Sequence, residues 1–261
     1  MRRLGVVRVS YSFYGSLVDR GDLWLLTKDC HVLAPDFARA EIVYHGEYTR
    51  IWKHPDRPGL ISKISRVKTL PRDMLRKYWR CQARREVDAA AVLTRLGLRT
   101  PDMLGYGFSL EPWARRESIL FMRELPHSET LRFILRESRD DARRARLLAQ
   151  VGAGYGAIYA AAFHHKDCHF DNILCDREHR LIWIDNDLRY SQSLKTAMNR
   201  FTSALEKLYR TTERFLHTRE WYLFLDCIAG ELEVGTLGRQ LAQDVIPGFR
   251  IETTGRHLRA L

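Results

Sequence analysis

Short bursts of β-branched and aromatic residues, separated by turn chemistry, dominate the first part of the chain. Residues 6–14 and 23–26 are rich in Val, Tyr, Phe and Leu and predict strands. Residues 40–44 and 48–53 flank His45-Gly46 and predict the two arms of a hairpin. His54-Pro55-Asp56-Arg57-Pro58-Gly59 is a turn, and residues 60–64 predict a third short strand. The period then changes. Pro71 stands where a helix can start and Gly97 where it can stop. Between them Leu75, Trp79, Gln82, Glu86, Ala90 and Leu93 recur on one helical face, which predicts a helix over 72–96. Residues 101–106 and 118–124 predict two more strands, with a polar excursion at 112–117 between them.

From Ser128 onward the pattern is mainly helical, apart from one predicted hairpin at 172–185. The longest uncharged run, 147–165, contains Gly152, Gly154 and Gly156 and ends in two histidines. A membrane helix needs about 20 mainly apolar residues, so this run reads as a buried helix. Leu194, Met198, Phe201, Leu205, Leu208 and Phe215 form an amphipathic stripe, read as core packing. The expected fold class is α+β. A strand-rich part, 1–124, carries one long helix, and a helical part, 125–261, follows it.

Composition narrows the classes. With 261 residues, 45% hydrophobic and 29% charged, the chain is neither a disordered tail nor a small disulfide scaffold. The net charge is +11, which favours an anionic partner such as a nucleotide, a phosphorylated sugar, an anionic lipid or a nucleic acid. Five cysteines with no C-x-x-C suggest neither a disulfide framework nor a zinc ribbon. The first residues lack the apolar core of a signal peptide, so a cytoplasmic protein is expected.

The chemistry concentrates in His164-His165-Lys166-Asp167-Cys168-His169-Phe170-Asp171-Asn172-Ile173-Leu174-Cys175. Asp167 and Asn172 follow the uncharged helix and precede a strand. A polar turn leads to the apolar strand Leu181-Ile182-Trp183-Ile184, which ends at Asp185. If 172–175 pairs antiparallel with 182–185, Asn172 lies opposite Asp185, with Cα atoms about 4.5–5.5 Å apart. Two oxygen donors at that open end suit Mg²⁺, a hard cation that prefers oxygen and nucleotide phosphates. The set resembles the protein-kinase signature H-R-D-x-x-x-x-N followed by D-F-G. His165-Lys166-Asp167 takes the first place, Asn172 the second and Asp185-Asn186-Asp187 the third. The histidines with Asp167 and Asp171 could instead suggest a transition-metal site, the weaker reading.

A second signal is independent. Glu86 interrupts an apolar helical stripe, and a buried carboxylate is costly unless paired. Lys63, on the strand 60–64, is the expected partner, with Arg84 and Arg85 as alternatives. Kinases grip the α- and β-phosphates with a strand lysine held by a helix glutamate. The turn that would cover the phosphates, His45-Gly46-Glu47-Tyr48-Thr49-Arg50, has one glycine where kinases often have three.

Further segments extend the likeness. Arg84-Arg85-Glu86-Val87-Asp88, Leu93, Leu96-Gly97-Leu98-Arg99-Thr100-Pro101 and Glu117-Ser118-Ile119-Leu120-Phe121-Met122-Arg123-Glu124-Leu125 resemble the bacterial lipopolysaccharide kinase family of Kdo and heptose inner-core kinases. The resemblance covers roughly residues 40–210. It implies a bilobal protein-kinase-like fold, ATP and Mg²⁺, and transfer of the γ-phosphoryl group to a sugar hydroxyl. It also implies a lipid-linked acceptor and a peripheral place at the cytoplasmic face of the inner membrane. Residue by residue, it implies that Lys63 holds the α/β-phosphates and Glu86 orients it. Gly46 lies in the phosphate-covering turn, and the Glu124-Leu125 backbone forms the adenine hinge. Asp167 orients or deprotonates the acceptor hydroxyl, and Asn172 and Asp185 bind Mg²⁺. D-F-G has become Asp185-Asn186-Asp187, without the glycine, and Asp187 either adds a metal ligand or pairs with an arginine.

Three other readings stand beside this one. Asp167-x-His169-x-x-Asn172 also suits phosphotransferases for soluble small molecules such as aminoglycosides or choline, although the positive charge favours an anionic acceptor. Residues 44–63 also resemble a kinase-like bacterial family linked to the PhoP regulatory network, so a regulator with weak or no catalysis is an alternative. The basic run Arg72, Arg76, Lys77, Arg80, Arg84 and Arg85, with Tyr78 and Trp79 interleaved, could meet nucleic acid, the weakest of the three.

Overall fold

β-Branched and aromatic side chains suit a pleated, half-buried surface, and in the computed structural model they build one antiparallel sheet. The structure describes residues 11–14, 24–27, 36–66, 78, 80–110, 116–233 and 236–250. Seven strands, β1 (Tyr11–Tyr14), β2 (Trp24–Thr27), β3 (Glu41–His45), β4 (Thr49–Lys53), β5 (Leu60–Arg66), β6 (Met103–Ser109) and β7 (Arg116–Arg123), lie in the order β1-β2-β6-β7-β5-β4-β3. The first predicted strand is seen from Tyr11; of the predicted excursion at 112–117, residues 112–115 lie outside the described residues and 116–117 belong to β7.

Strand β5 is central, so its side chains are buried on both faces. Lys63 is paired with Leu120 on one side and with Ile51 on the other. Leu60 and Ile64 point into a cluster with Trp24, Leu26, Ile119 and Phe121. Leu120 joins Tyr106, Phe108, Cys81 and Ala83 in a second cluster, and the strand alternation puts Lys63 on that face.

Helix α1 (Gln82–Arg95) supplies the other half of this second cluster. It is shorter than the predicted 72–96. Tyr78 and Arg80 are helical, but Cys81 is not, and Leu75, Trp79 and Arg72, Arg76 and Lys77 of the basic run lie outside the described residues. The Ala83 amide donates to Ser118 Oγ (3.1 Å), which ties the start of α1 to β7. One turn later Glu86 falls on the same face.

The chain divides into two compact units, Met1–Asp88 with Pro101–Leu125, and Ala89–Thr100 with Pro126–Leu261. The second half of α1 is thus grouped with the helical residues. There Leu93 is fully buried beside Leu135, Tyr155 and Trp183, and Trp183 N donates to Arg99 O (2.8 Å).

The helical unit contains α2 (Leu131–Glu137), α3 (Asp141–Ala160), α4 (Leu194–Thr212), α5 (Thr218–Leu232) and α6 (Thr236–Asp244). Thr130 and Asp140 cap α2 and α3, accepting from the Phe133 and Arg143 amides. Helix α3 occupies most of the uncharged run. Its Gly152 and Gly156, one turn apart, let α5 approach closely. A Cβ at either would lie 2.7 Å from a carbonyl oxygen of α5, that of Phe224 or of Ile228. Arg144 on α3 is held by Glu220 of α5 through bonds of 2.6 and 2.7 Å. Among the described residues no helix is long and apolar enough to cross a membrane.

Five short strands join these helices. They are β8 (Glu129–Thr130), β9 (Phe163–His165), β10 (Ile173–Cys175), β11 (Leu181–Trp183) and β12 (Leu188–Tyr190). The predicted hairpin is present as β10–β11, but β8, β9 and β12 were not foreseen. Two or three residues are too few to display a period.

Candidate active site

In the sheet unit, Lys63 Nζ lies 3.0 Å from both Glu86 oxygens. The lysine is 6% exposed and the glutamate 2%. Gln82, one turn earlier on α1, donates to Glu86 Oε1 (2.9 Å) and adds a neutral bond to the pair. Of the alternative partners, Arg85 bonds Gln82, and Arg84 faces Asp88 at 3.9 Å. The burial that makes Glu86 costly alone is met by Lys63.

The single-glycine turn joins the arms of the hairpin β3–β4. Gly46 N donates to Thr49 O (2.8 Å), so this amide closes the turn. At the other end of the sheet unit, Glu124 N donates to Gly59 O (2.8 Å) and its carboxylate takes Lys53 Nζ at 2.6 Å. Leu125 follows as the last residue of this unit.

In the helical unit the sequence 163–190 folds into a continuous polar frame. Strand β9 pairs with β12, His165 opposite Leu188, and Lys166 N donates to Asp187 O (3.1 Å). The loop then crosses to a 3-10 turn, Phe170–Asn172, and enters β10. Asn172 Nδ2 donates to the Asp167 carbonyl at 2.9 Å, which closes the five-residue spacing into a ring of backbone and amide.

The register differs from expectation by one residue. Ile173 faces Trp183 and Leu174 faces Ile182, so the partner of Asn172 is Ile184, whose amide donates to Asn172 O (3.0 Å). Asp185 lies one residue beyond the paired end. Its backbone adopts φ +53°, the left-handed region that Asp tolerates better than most residues. Asn186, fully buried, staples the turn by donating to Trp183 O (3.0 Å). Asp187 takes Arg189 Nη2 at 3.3 Å, the arginine pairing left open by the sequence.

The electrostatics show which groups share this space. Burial pushes the His165 imidazole down, while the Asn186 side chain and then the carboxylates of Asp185, Asp167 and Asp187 pull it back up. His169 is likewise lowered by burial and by Lys207, against Asp171, Asp167 and Asp185. Asp167 and Asp185 therefore bear on the same two imidazoles. Burial would raise the Asp167 carboxyl, but Lys207, Lys166 and His165 outweigh it and hold it below the usual carboxylate range. Lys207 Nζ stands 3.2 Å from Asp167 Oδ1. Nothing in the sequence pattern singles out this lysine, which sits between two core positions of α4, Leu205 and Leu208.

Among the described residues no group of three or more His, Cys, Asp or Glu side chains is arranged to hold a metal ion. The transition-metal reading therefore finds no support: His164 faces Arg200 and Ser191, each at 3.3 Å. Mg²⁺ asks for less protein, taking one or two carboxylates and completing its shell with phosphate oxygens and water. The exposed Asp185 carboxylate and the amide oxygen of Asn172, whose nitrogen is committed to Asp167, fit that donor chemistry.

A unit of antiparallel sheet and helix with a buried strand-lysine and helix-glutamate pair, and a helical unit with an Asp-Asn loop and a following hairpin, define a kinase-like fold. The solved structure of WaaP in complex with acyl carrier protein is similar at a TM-score of 0.53 and 21% identity, covering 78% of this chain and 88% of that one. Weaker likenesses are the bifunctional kinase-methyltransferase WbdD (TM-score 0.41, 16% identity, 76% of this chain and 47% of that one) and the Cydia pomonella granulovirus kinase PK-1 (0.39, 15%, 64% and 58%). No curated protein matches the sequence. Residues 61–226 match the lipopolysaccharide kinase (Kdo/WaaP) family. The match spans more than half of the chain, and the chain belongs to that family. Its activity is accordingly that of a sugar kinase, a phosphotransferase.

Proposed function

We propose that this protein is an ATP- and Mg²⁺-dependent kinase that phosphorylates a hydroxyl of the lipopolysaccharide inner core. The observation that carries the reading is the Asp167–Asn172 ring, which holds a half-exposed carboxylate beside a committed amide, with Asp185 bearing on the same two imidazoles, His165 and His169. In this reading Lys63, positioned by Glu86, binds the α- and β-phosphates. The Glu124-Leu125 backbone holds the adenine, and the turn containing Gly46 covers the phosphates. Asn172 and Asp185 hold Mg²⁺, which when bound neutralises charge on the phosphates. Asp167 orients the acceptor hydroxyl and receives its proton as the acceptor oxygen bonds the γ-phosphorus and the bond to the bridging oxygen of ADP breaks. Phosphoryl transfer needs positioning and charge neutralisation more than covalent help from the protein, and these residues supply both. The excess of cations suits an anionic, lipid-linked sugar and a peripheral position at the inner membrane.

The test incubates the protein with labelled ATP, Mg²⁺ and rough-type lipopolysaccharide, beside a panel of soluble acceptors. Label is expected in the lipopolysaccharide, with Asp167→Ala slower by about 10²- to 10⁴-fold. Equal transfer by wild type and Asp167→Ala would refute the role of Asp167, and transfer only to a soluble acceptor would refute the choice of substrate.

One observation favours a second reading, a regulator with weak catalysis. The only glycine of the phosphate-covering turn spends its amide within the turn. Calorimetry beside the transfer assay separates the two readings, since weak or absent Mg-ATP binding with no turnover on any acceptor is what the regulator predicts.

A further inference from the structure

The roles above leave unused a cation aimed at the central carboxylate. Helix α4 buries Phe201, Ala204, Leu205 and Leu208 in the core, and Lys207 stands at the margin of that stripe. A lysine there ordinarily lays its stem along the protein and extends its ammonium into water. This one reaches a residue 40 positions earlier, and its ammonium meets Asp167 Oδ1 at 3.2 Å. The arginines around the same frame serve other groups. Arg132 bonds Asp171 (3.0 Å), Arg189 bonds Asp187 (3.3 Å) and Arg200 faces His164 (3.3 Å). Lys166, adjacent in sequence, is exposed.

We propose that Lys207 is a positioning residue for phosphoryl transfer, holding Oδ1 of Asp167 so that Oδ2 meets the acceptor hydroxyl. The inference rests on the kinase reading of Asp167. It adds what the loop itself lacks: the Asn172 amide fixes the backbone of Asp167 through its carbonyl, whereas the side-chain torsion is set from another helix. In the transfer step the acceptor oxygen bonds the γ-phosphorus, the bond to the bridging oxygen breaks with ADP leaving, and the hydroxyl proton passes to Oδ2. Lys207 keeps its own protons and stays on Oδ1, where its charge lies beside the negative charge of the transferring group. A pair this exposed (side chains 41% and 50%) contributes little to folding, so its removal tests positioning rather than stability.

The experiment compares the full-length wild type, Lys207→Met, Lys207→Arg, Asp167→Asn and the Lys207→Met/Asp167→Asn double variant, using labelled ATP, Mg²⁺ and rough-type lipopolysaccharide. Lys207→Met is expected to lower kcat by about 10- to 100-fold while KM for ATP stays within about twofold and thermal unfolding is unchanged. Lys207→Arg recovers part of the loss. In the Asp167→Asn background the same Met substitution costs nothing further, because the lysine acts through the carboxylate. Wild-type turnover by Lys207→Met, a loss confined to KM, or an equal further loss in the double variant would each overturn the proposal while leaving the kinase reading intact. Wild-type turnover by Asp167→Asn would instead remove the kinase reading of this site, and the role of Lys207 with it.

Discussion

Replacing Glu86 by Leu leaves the Lys63 ammonium, 6% exposed, without its carboxylate inside the sheet unit. At the observed 3.0 Å, two unit charges attract by about 5 kcal/mol at the effective dielectric that suits protein sites. Desolvation of both ions opposes that attraction. Truncating one partner of such a pair therefore costs about 3–5 kcal/mol, whereas replacing both by apolar groups is often neutral or stabilising by about 1–4 kcal/mol. The expected pattern is non-additive. Glu86→Leu and Lys63→Met each lose about 3–5 kcal/mol, and the double variant returns to within about 1 kcal/mol of wild type. Urea unfolding followed by tryptophan fluorescence measures the three changes. Losses below about 1 kcal/mol in the single variants, or a double variant that loses the sum of both, would show that the pair is not the buried, mutually dependent unit described here. The same proteins separate stability from function, because the refolded double variant is expected to lose Mg-ATP binding in calorimetry. Wild-type affinity in that variant would remove Lys63 from the phosphate site.

Two further expectations concern the helical unit. Gly152→Ala or Gly156→Ala sets a Cβ 2.7 Å from a carbonyl of α5, and the overpacking is expected to cost about 1–3 kcal/mol, despite a gain in helix propensity of about 1 kcal/mol. Unchanged urea midpoints would mean that α3 and α5 pack less closely than described. Burial, with the Arg200 and Arg189 guanidiniums behind it, pushes the His164 imidazole from 6.5 down to about 4. The unfolded chain then takes up a proton that the folded protein refuses, so stability is fully present above 6.5 and falls as pH drops toward 4. His164→Asn is expected to flatten that slope, and an imidazole titrating near its ordinary value by NMR would contradict the account.

The parts of this protein that were legible in the sequence are those set by forces acting over a few residues. Short apolar runs at 40–44, 48–53, 60–64, 101–106 and 118–124, set off by turn residues, mark strands because β-branched and aromatic side chains suit a pleated surface. Glu86 announced a partner because a carboxylate on an apolar stripe is too costly to leave alone, and Lys63 answers it at 3.0 Å. The five-residue spacing of Asp167 and Asn172 closes locally, through one amide and one carbonyl. What needed the tertiary structure is set by hydrogen-bond register and packing. The 3-10 turn at 170–172 commits Asn172 before β10 begins, so its partner is Ile184 and Asp185 is left to make a left-handed turn. A period-2 pattern does not report a one-residue shift of its partner. Lys207 was invisible for a related reason. A lysine on an amphipathic helix looks solvated in any one-dimensional reading, and only the packing of α4 beside the loop delivers its ammonium to a carboxylate 40 residues away.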